Sequence, residues 1–226
     1  RIDPQLKFLV VSASKDRADN FTTFTMRLIN EMPILAPLIP RDDQRNSKVS
    51  FDVRPASADH APSCSSKGVL SQLAGSRADE VIADDCEVPN NSFTQPMRDK
   101  LSEAVKEFEA ILKPSGKITF LGTPQVENSL YLTLEERGYE TRIWTARYPN
   151  HKNNYGDRLA PRLAKNLLEG SVEPQDPVDP VRFSAQDLME REASYGRSGF
   201  NLQFMLDTTL SDQDRYPLKI NDLVIM

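Results

Sequence analysis

Three features of the sequence predict a three-layer α/β fold, a mostly parallel sheet with helices packed around it. Short apolar runs rich in β-branched residues alternate with stretches of helical periodicity. Two of those runs, Phe8-Leu9-Val10-Val11 and Val81-Ile82-Ala83, lack the polar alternation of a half-exposed strand. The runs are also followed by a capping residue, by acids or by a Gly/Pro turn. Apolar runs without alternation mark strands buried on both faces, as in a parallel sheet joined by right-handed crossovers.

The elements follow in order. Residues 6–13 form the first strand. Ser14 caps a helix in which Ala18, Phe21, Phe24, Leu28 and Met32 recur at three- and four-residue spacing until Pro33 stops it. Val49, Phe51 and Val53 alternate with polar residues, which predicts a half-exposed strand within 48–57, with Gly68-Val69-Leu70 continuing an irregular region. Residues 80–83 make a second buried strand that ends in acids. Ser92 and Gln95 have capping-box spacing ahead of Met97, Leu101, Val105, Phe108 and Leu112, a helix that runs up to Pro114. Residues 117–121 are a strand stopped by Gly122. Val126, Leu130 and Leu134 mark a short helix ending at Gly138, and 140–146 read as a further strand of the same sheet.

The character changes after Tyr148-Pro149. An amphipathic helix over 157–168 is followed by an extended linker with Pro174, Pro177 and Pro180. Ser184 opens a last helix through Leu188 and Tyr195, interrupted by Gly196 and Gly199 before the aromatic run 200–206. The expected organisation is a core over 1–148, a small helical subdomain over 149–206 and a connecting segment over 207–226. Arg1 at the start and the apolar run Leu223-Val224-Ile225 beside the last residue read as a fragment cut at both ends.

Composition narrows the function. The 226 residues are 38% hydrophobic and 27% charged, a balance with enough apolar mass for a core. Lys and Arg total 28 against 33 Asp and Glu, a net charge of −5, which excludes a bulk polycation that coats nucleic acid. No apolar run approaches the roughly 18–20 residues of a membrane span, and no basic start with an apolar stretch behind it suggests secretion. Two cysteines, Cys64 and Cys86, cannot build a disulfide framework, and His60 and His151 stand too far apart for a histidine metal site.

The sharpest chemical signal is Glu80-Val81-Ile82-Ala83-Asp84-Asp85-Cys86-Glu87. A buried strand that ends in adjacent acids at the carboxyl edge of a parallel sheet stands where open α/β folds bind ligands. In P-loop ATPases the last acid of such a strand holds the Mg²⁺ that bridges the phosphates, and a neighbouring carboxylate orients the attacking water. Asp84 then takes the metal side and Asp85 the base, with Glu87 a second candidate for base; the bland alternative is a solvated strand-end turn. One βα unit later, Leu121-Gly122-Thr123-Pro124-Gln125 places a polar residue, Thr123, where RecA-like motors carry a γ-phosphate sensor. Ser12-Ala13-Ser14-Lys15 resembles the strand-end motif that helicase-like folds use near DNA or nucleotide, and is equally a plain helix cap. Arg77, on the loop before the acidic strand, suits an arginine finger acting in trans, or an ion pair with Asp79 or Glu80. No Gly-x-x-x-x-Gly-Lys-[Ser/Thr] loop occurs, so nothing in this stretch cradles phosphates.

Taken together, Leu9-Val10-Val11-Ser12-Ala13-Ser14-Lys15, Gly75-Ser76-Arg77-Ala78-Asp79, Ile82-Ala83-Asp84-Asp85, Leu121-Gly122-Thr123-Pro124-Gln125, Asp179-Pro180-Val181-Arg182-Phe183 and Gly199-Phe200-Asn201-Leu202-Gln203-Phe204-Met205-Leu206 strongly resemble the large terminase subunit of short-tailed, podovirus-type phages. The order and spacing fit essentially the whole chain. The resemblance implies a RecA-like P-loop NTPase core that lacks its Walker A portion, followed by a helical lid and the start of a connection to a nuclease domain. It implies ATP and Mg²⁺ as cofactors, double-stranded DNA, a portal protein and a small terminase subunit as partners, a homo-oligomeric ring on the prohead, and the cytoplasm of the bacterial host as location. By the same resemblance Asp84 is the Walker B metal-side acid, Asp85 stands where many relatives place a Glu, and Thr123 lies in the coupling motif. An Asp in place of that Glu is a shorter arm, which keeps Glu87 in contention. Another RecA-like translocase or helicase, or a non-catalytic α/β interaction module, are the alternatives.

Overall fold

The computed structural model describes residues 3–126, 128–150 and 155–208. The chain forms two compact units, Arg1–Gly122 and Thr123–Met226, whereas the sequence changes character at 148/149.

The first unit is built on a five-stranded sheet of order β2-β3-β1-β4-β5, with β1 Phe8–Ser12, β2 Ser50–Phe51, β3 Cys64–Gly68, β4 Ala78–Asp84 and β5 Leu112–Leu121. The pairs β3-β1, β1-β4 and β4-β5 are parallel, and the short β2 is antiparallel at one edge. The strand expected within 48–57 shrinks to two residues. The neighbouring irregular region instead supplies β3, which pairs in register along the whole of β1.

Strand alternation assigns the two faces. Phe8, Val10 and Ser12 point one way, with Cys64, Ser66 and Gly68 beside them. α1 (Lys15–Glu31) covers this face: Ser66 donates its hydroxyl to Asp19 at 2.6 Å, and Phe21 and Ile29 pack with Phe8 and Val10. Ser14 caps α1 as the sequence predicts, accepting the Arg17 N–H. On the opposite face lie Leu9, Val11, Val81, Ala83, Ile118 and Phe120. α3 (Gln95–Ile111) packs there through Phe108, stacked on Phe120 with ring centroids 5.8 Å apart. Helix, sheet and helix give the three expected layers.

Two expectations fail in detail. Ser92 does not open α3: it ends the one-turn helix α2 (Pro89–Ser92) and donates its hydroxyl back to Val88, while Thr94 stands at the N-cap of α3. Residues 140–146 are not a strand of the sheet. They fall in the second unit, where Ile143 bonds to Arg158 and Ala160, and Ala146 bonds to Phe204 and Val178. With its backbone groups spent on three separate short segments, this stretch cannot form a continuous ladder.

In the second unit α4 (Leu130–Glu136) is capped by Ser129, α5 (Pro161–Leu168) packs Leu163 against Tyr148, Tyr155 and Leu159, and α6 (Ala185–Phe200) opens with a capping box between Ser184 and Asp187. Gly196 breaks α6 with φ 70° and ψ 164°, backbone that essentially only glycine adopts. The proline stretch is no free linker, because its backbone pairs with Tyr148 and Ala146. From residue 209 onward the expected connection over 207–226 lies outside the described residues. Among the described residues no helix is long and apolar enough to cross a membrane.

Candidate functional site

Register places the ends of four strands in one row. Ser12 pairs with Gly68 on one side and Asp84 on the other, and Asp84 pairs with Leu121. In each parallel strand the last residue therefore lies at the carboxyl edge, the edge at which open α/β sheets bind ligands.

Asp84 closes β4, half-buried, on the α1 face of the sheet. Desolvation raises its carboxyl above the ordinary range; the adjacent Asp85 adds to this, and the guanidinium of Arg17 in the first turn of α1 opposes it. A divalent cation at this edge would relieve both the burial and the like-charge cost. Asp85 is exposed and sits in the left-handed region at φ 47°. Its N–H donates to the Leu121 carbonyl at 2.9 Å, and its own carbonyl accepts from Ala13 at 3.3 Å. Those two bonds clamp the residue between the ends of β1 and β5. Asp tolerates this backbone better than most residues, and such strain concentrates at functional positions.

The other candidates separate. Glu87 is 1% exposed, buried where Asp85 is open. The chain around it is folded back by Asn91, which accepts from the Val88 N–H and donates to the Cys86 carbonyl, both at 2.8 Å. β5 ends at Leu121 beside Asp84; Thr123, two residues on, begins the second unit, where its carbonyl accepts from the Gln125 amide at 3.0 Å. Arg77 precedes the first residue of β4, at the amino end of the strand that Asp84 closes. Seven residues at about 3.3 Å each put these two Cα atoms roughly 23 Å apart, beyond the reach of any side chain. Its guanidinium donates to the Ser76 carbonyl at 2.8 Å. The ion pair weighed for it goes elsewhere: Asp79 pairs with Lys113 and Glu80 with Lys117.

Mg²⁺ is held through one or two carboxylates, with substrate phosphates and water completing the octahedron. The edge offers Asp84 for such a role, with Ser12 beside it in register, and among the described residues no cluster of three or more His, Cys, Asp or Glu side chains forms an all-protein cage. Sequence reasoning missed Arg17. Its signal was available: the third residue after a helix cap lies on the first turn, directly above the end of the preceding strand.

No family model matches the chain. Over 230 residues, 99% of the chain, it is 51% identical to a curated protein of Enterobacteria phage T3 described as "Terminase, large subunit". The chain spans 39% of that relative's length. The resemblance drawn from the motifs is thereby borne out along essentially the whole sequence. Among solved structures, the large terminase ATPase domain of Thermus phage P74-26 aligns over 91% of the chain and 78% of its own length, with 14% identity and a TM-score of 0.43.

Proposed function

We propose that this chain is a stretch of a large terminase subunit and carries the acidic half of the ATP site of a motor that drives double-stranded DNA into a prohead. The observation that carries this reading is the 51% identity across 99% of the chain. The row of strand ends that presents Asp84 and Asp85 at the carboxyl edge supports it.

In this reading residues 1–148 belong to a RecA-like P-loop core, 149–206 to its lid and 207–226 to the connection towards a nuclease domain. The phosphate-cradling loop of such a core has no counterpart in these 226 residues and would be supplied by another part of the full-length protein. Ample room exists for added structure: on the α1 side of β5, Lys117, Thr119 and Leu121 are exposed. Asp84 would hold a Mg²⁺ ion, which when bound would supply charge neutralisation for phosphoryl transfer. Asp85, the accessible acid, orients the attacking water and accepts its proton at a carboxylate oxygen. Glu87 would have to leave a fully buried position to do the same. Thr123 senses the γ-phosphate, and Arg77 serves the site of a neighbouring subunit in a homo-oligomeric ring on the portal. The small terminase subunit delivers DNA to this ring in the host cytoplasm.

The test is packaging itself. Full-length protein mixed with proheads, DNA and ATP should protect DNA from added nuclease, and Asp84→Ala should remove that protection. Protection that is absent with the wild type, or intact with Asp84→Ala, would refute the assignment.

A further inference from the structure

Ser12 ends β1 with a hydroxyl that the fold does not use. The residue is 2% exposed, and its Oγ is buried without a hydrogen-bond partner. Its carbonyl is already engaged by the Val69 N–H at 2.8 Å. An unpaired buried hydroxyl costs about 1–3 kcal/mol, so packing alone would favour alanine at this position.

Register fixes the direction of that hydroxyl. Partners in a parallel ladder put their side chains on the same face, and Ser12 is flanked by Gly68 and Asp84. Gly68 presents no side chain, and a Cβ there would lie 3.1 Å from the Lys15 backbone nitrogen. The hydroxyl therefore faces the first turn of α1 on one side and the Asp84 carboxylate on the other. Adjacent strands lie about 4.8 Å apart, within reach of a serine-to-carboxylate hydrogen bond after a rotamer change.

We propose that Ser12 is a positioning residue: with a divalent cation at Asp84, the Ser12 hydroxyl donates to one carboxylate oxygen of Asp84 and leaves the other aimed at the metal. The inference rests on the reading of Asp84 as the metal-side acid. A carboxylate at a strand end has two free side-chain torsions, and an outer hydrogen bond is how ligating carboxylates are commonly fixed.

The test titrates Mn²⁺, followed by electron paramagnetic resonance, into the full-length protein saturated with a non-hydrolysable ATP analogue. Melting of the metal-free protein is measured alongside. Ser12→Ala should weaken Mn²⁺ binding roughly tenfold without lowering the metal-free melting temperature, and Ser12→Thr, which keeps the hydroxyl, should stay close to wild type. In an Asp84→Asn background, Ser12→Ala should add no further loss. If Ser12→Ala does not fold, Ser12→Cys keeps the shape with a weak donor and should show the same weakening. Unchanged Mn²⁺ affinity, or an equal loss on top of Asp84→Asn, overturns the proposal. Wild-type binding that Asp84→Asn weakens and Ser12→Ala leaves intact removes Ser12 alone; absence of metal–nucleotide binding in the wild type removes the reading of Asp84 and the proposal together.

Discussion

Arg77 offers a prediction whose size follows from geometry. Because β4 separates it from Asp84 by roughly 23 Å of strand, its guanidinium cannot reach Asp84 of its own chain, and the proposed catalytic role must be played in trans. An arginine finger contributes about 10³–10⁵ in turnover, so Arg77→Ala in the full-length protein should fall close to background in a DNA- and prohead-stimulated ATPase assay. Asp84→Ala should be equally inactive, for a different reason. In an equimolar mixture that assembles at random, an intact Asp84 meets an intact neighbouring Arg77 at about one quarter of the interfaces, whatever the ring size. Steady-state phosphate release per subunit should therefore recover to about a quarter of the wild-type value, from two proteins that are each dead. No recovery on mixing, together with near-normal turnover of Arg77→Ala alone, would refute the argument and leave this arginine as a surface residue bonded to Ser76.

Three further outcomes are expected. The 226-residue chain by itself should neither hydrolyse ATP nor bind it tightly, since no phosphate-cradling loop is present in it; ordinary turnover in a phosphate-release assay would show that argument wrong. Burial pushes the thiol of Cys64 up to about 12, and burial with the nearby charges of Asp84 and Asp85 does the same for Cys86. Both should resist a thiol reagent at pH 8 in the folded chain and react fully in denaturant, and fast labelling of the native protein would contradict their placement. Hydrogen bonds from the Ser184 hydroxyl and N–H hold Asp187 below the ordinary carboxylate range. That contribution is complete above the unfolded value of about 3.9 and is lost as pH falls through the lower folded value. The stability gap between wild type and Asp187→Asn in urea melts should accordingly shrink on strong acidification; a gap that widens would oppose the cap.

Elements governed by local rules were legible in the sequence. The Ser14 and Ser184 caps, the buried runs of β1 and β4, the span of α1 and the break at Gly196 stand where residue chemistry puts them, whereas Phe24, Met32 and Met97 of the expected apolar stripes are exposed and Leu112 begins β5. β3 was not legible, because Cys64-Ser-Ser-Lys-Gly is polar and reads as loop. What makes it a strand is tertiary: it lies between β1 and β2, and α1 satisfies Ser66 through Asp19. Residues 140–146 misled in the opposite direction, since Ile143 and Trp144 suggest a strand while the partners belong to loops far along the chain. At the candidate site, the acids behind a buried strand single out Asp84 and Asp85 from the sequence, and register puts Asp84 at the carboxyl edge of the sheet. The burial of Glu87, the remoteness of Arg77 from Asp84 and the idle hydroxyl of Ser12 depend on register and packing, which no linear pattern displays.

The claim that the carboxyl edge of this sheet is the metal end of a packaging ATPase is tested most directly by ATP turnover of the full-length protein with proheads and DNA, wild type against Asp84→Ala. The account predicts robust turnover for the wild type and background turnover for the variant, with both proteins melting alike in the absence of nucleotide. Turnover of Asp84→Ala near the wild-type rate would contradict it.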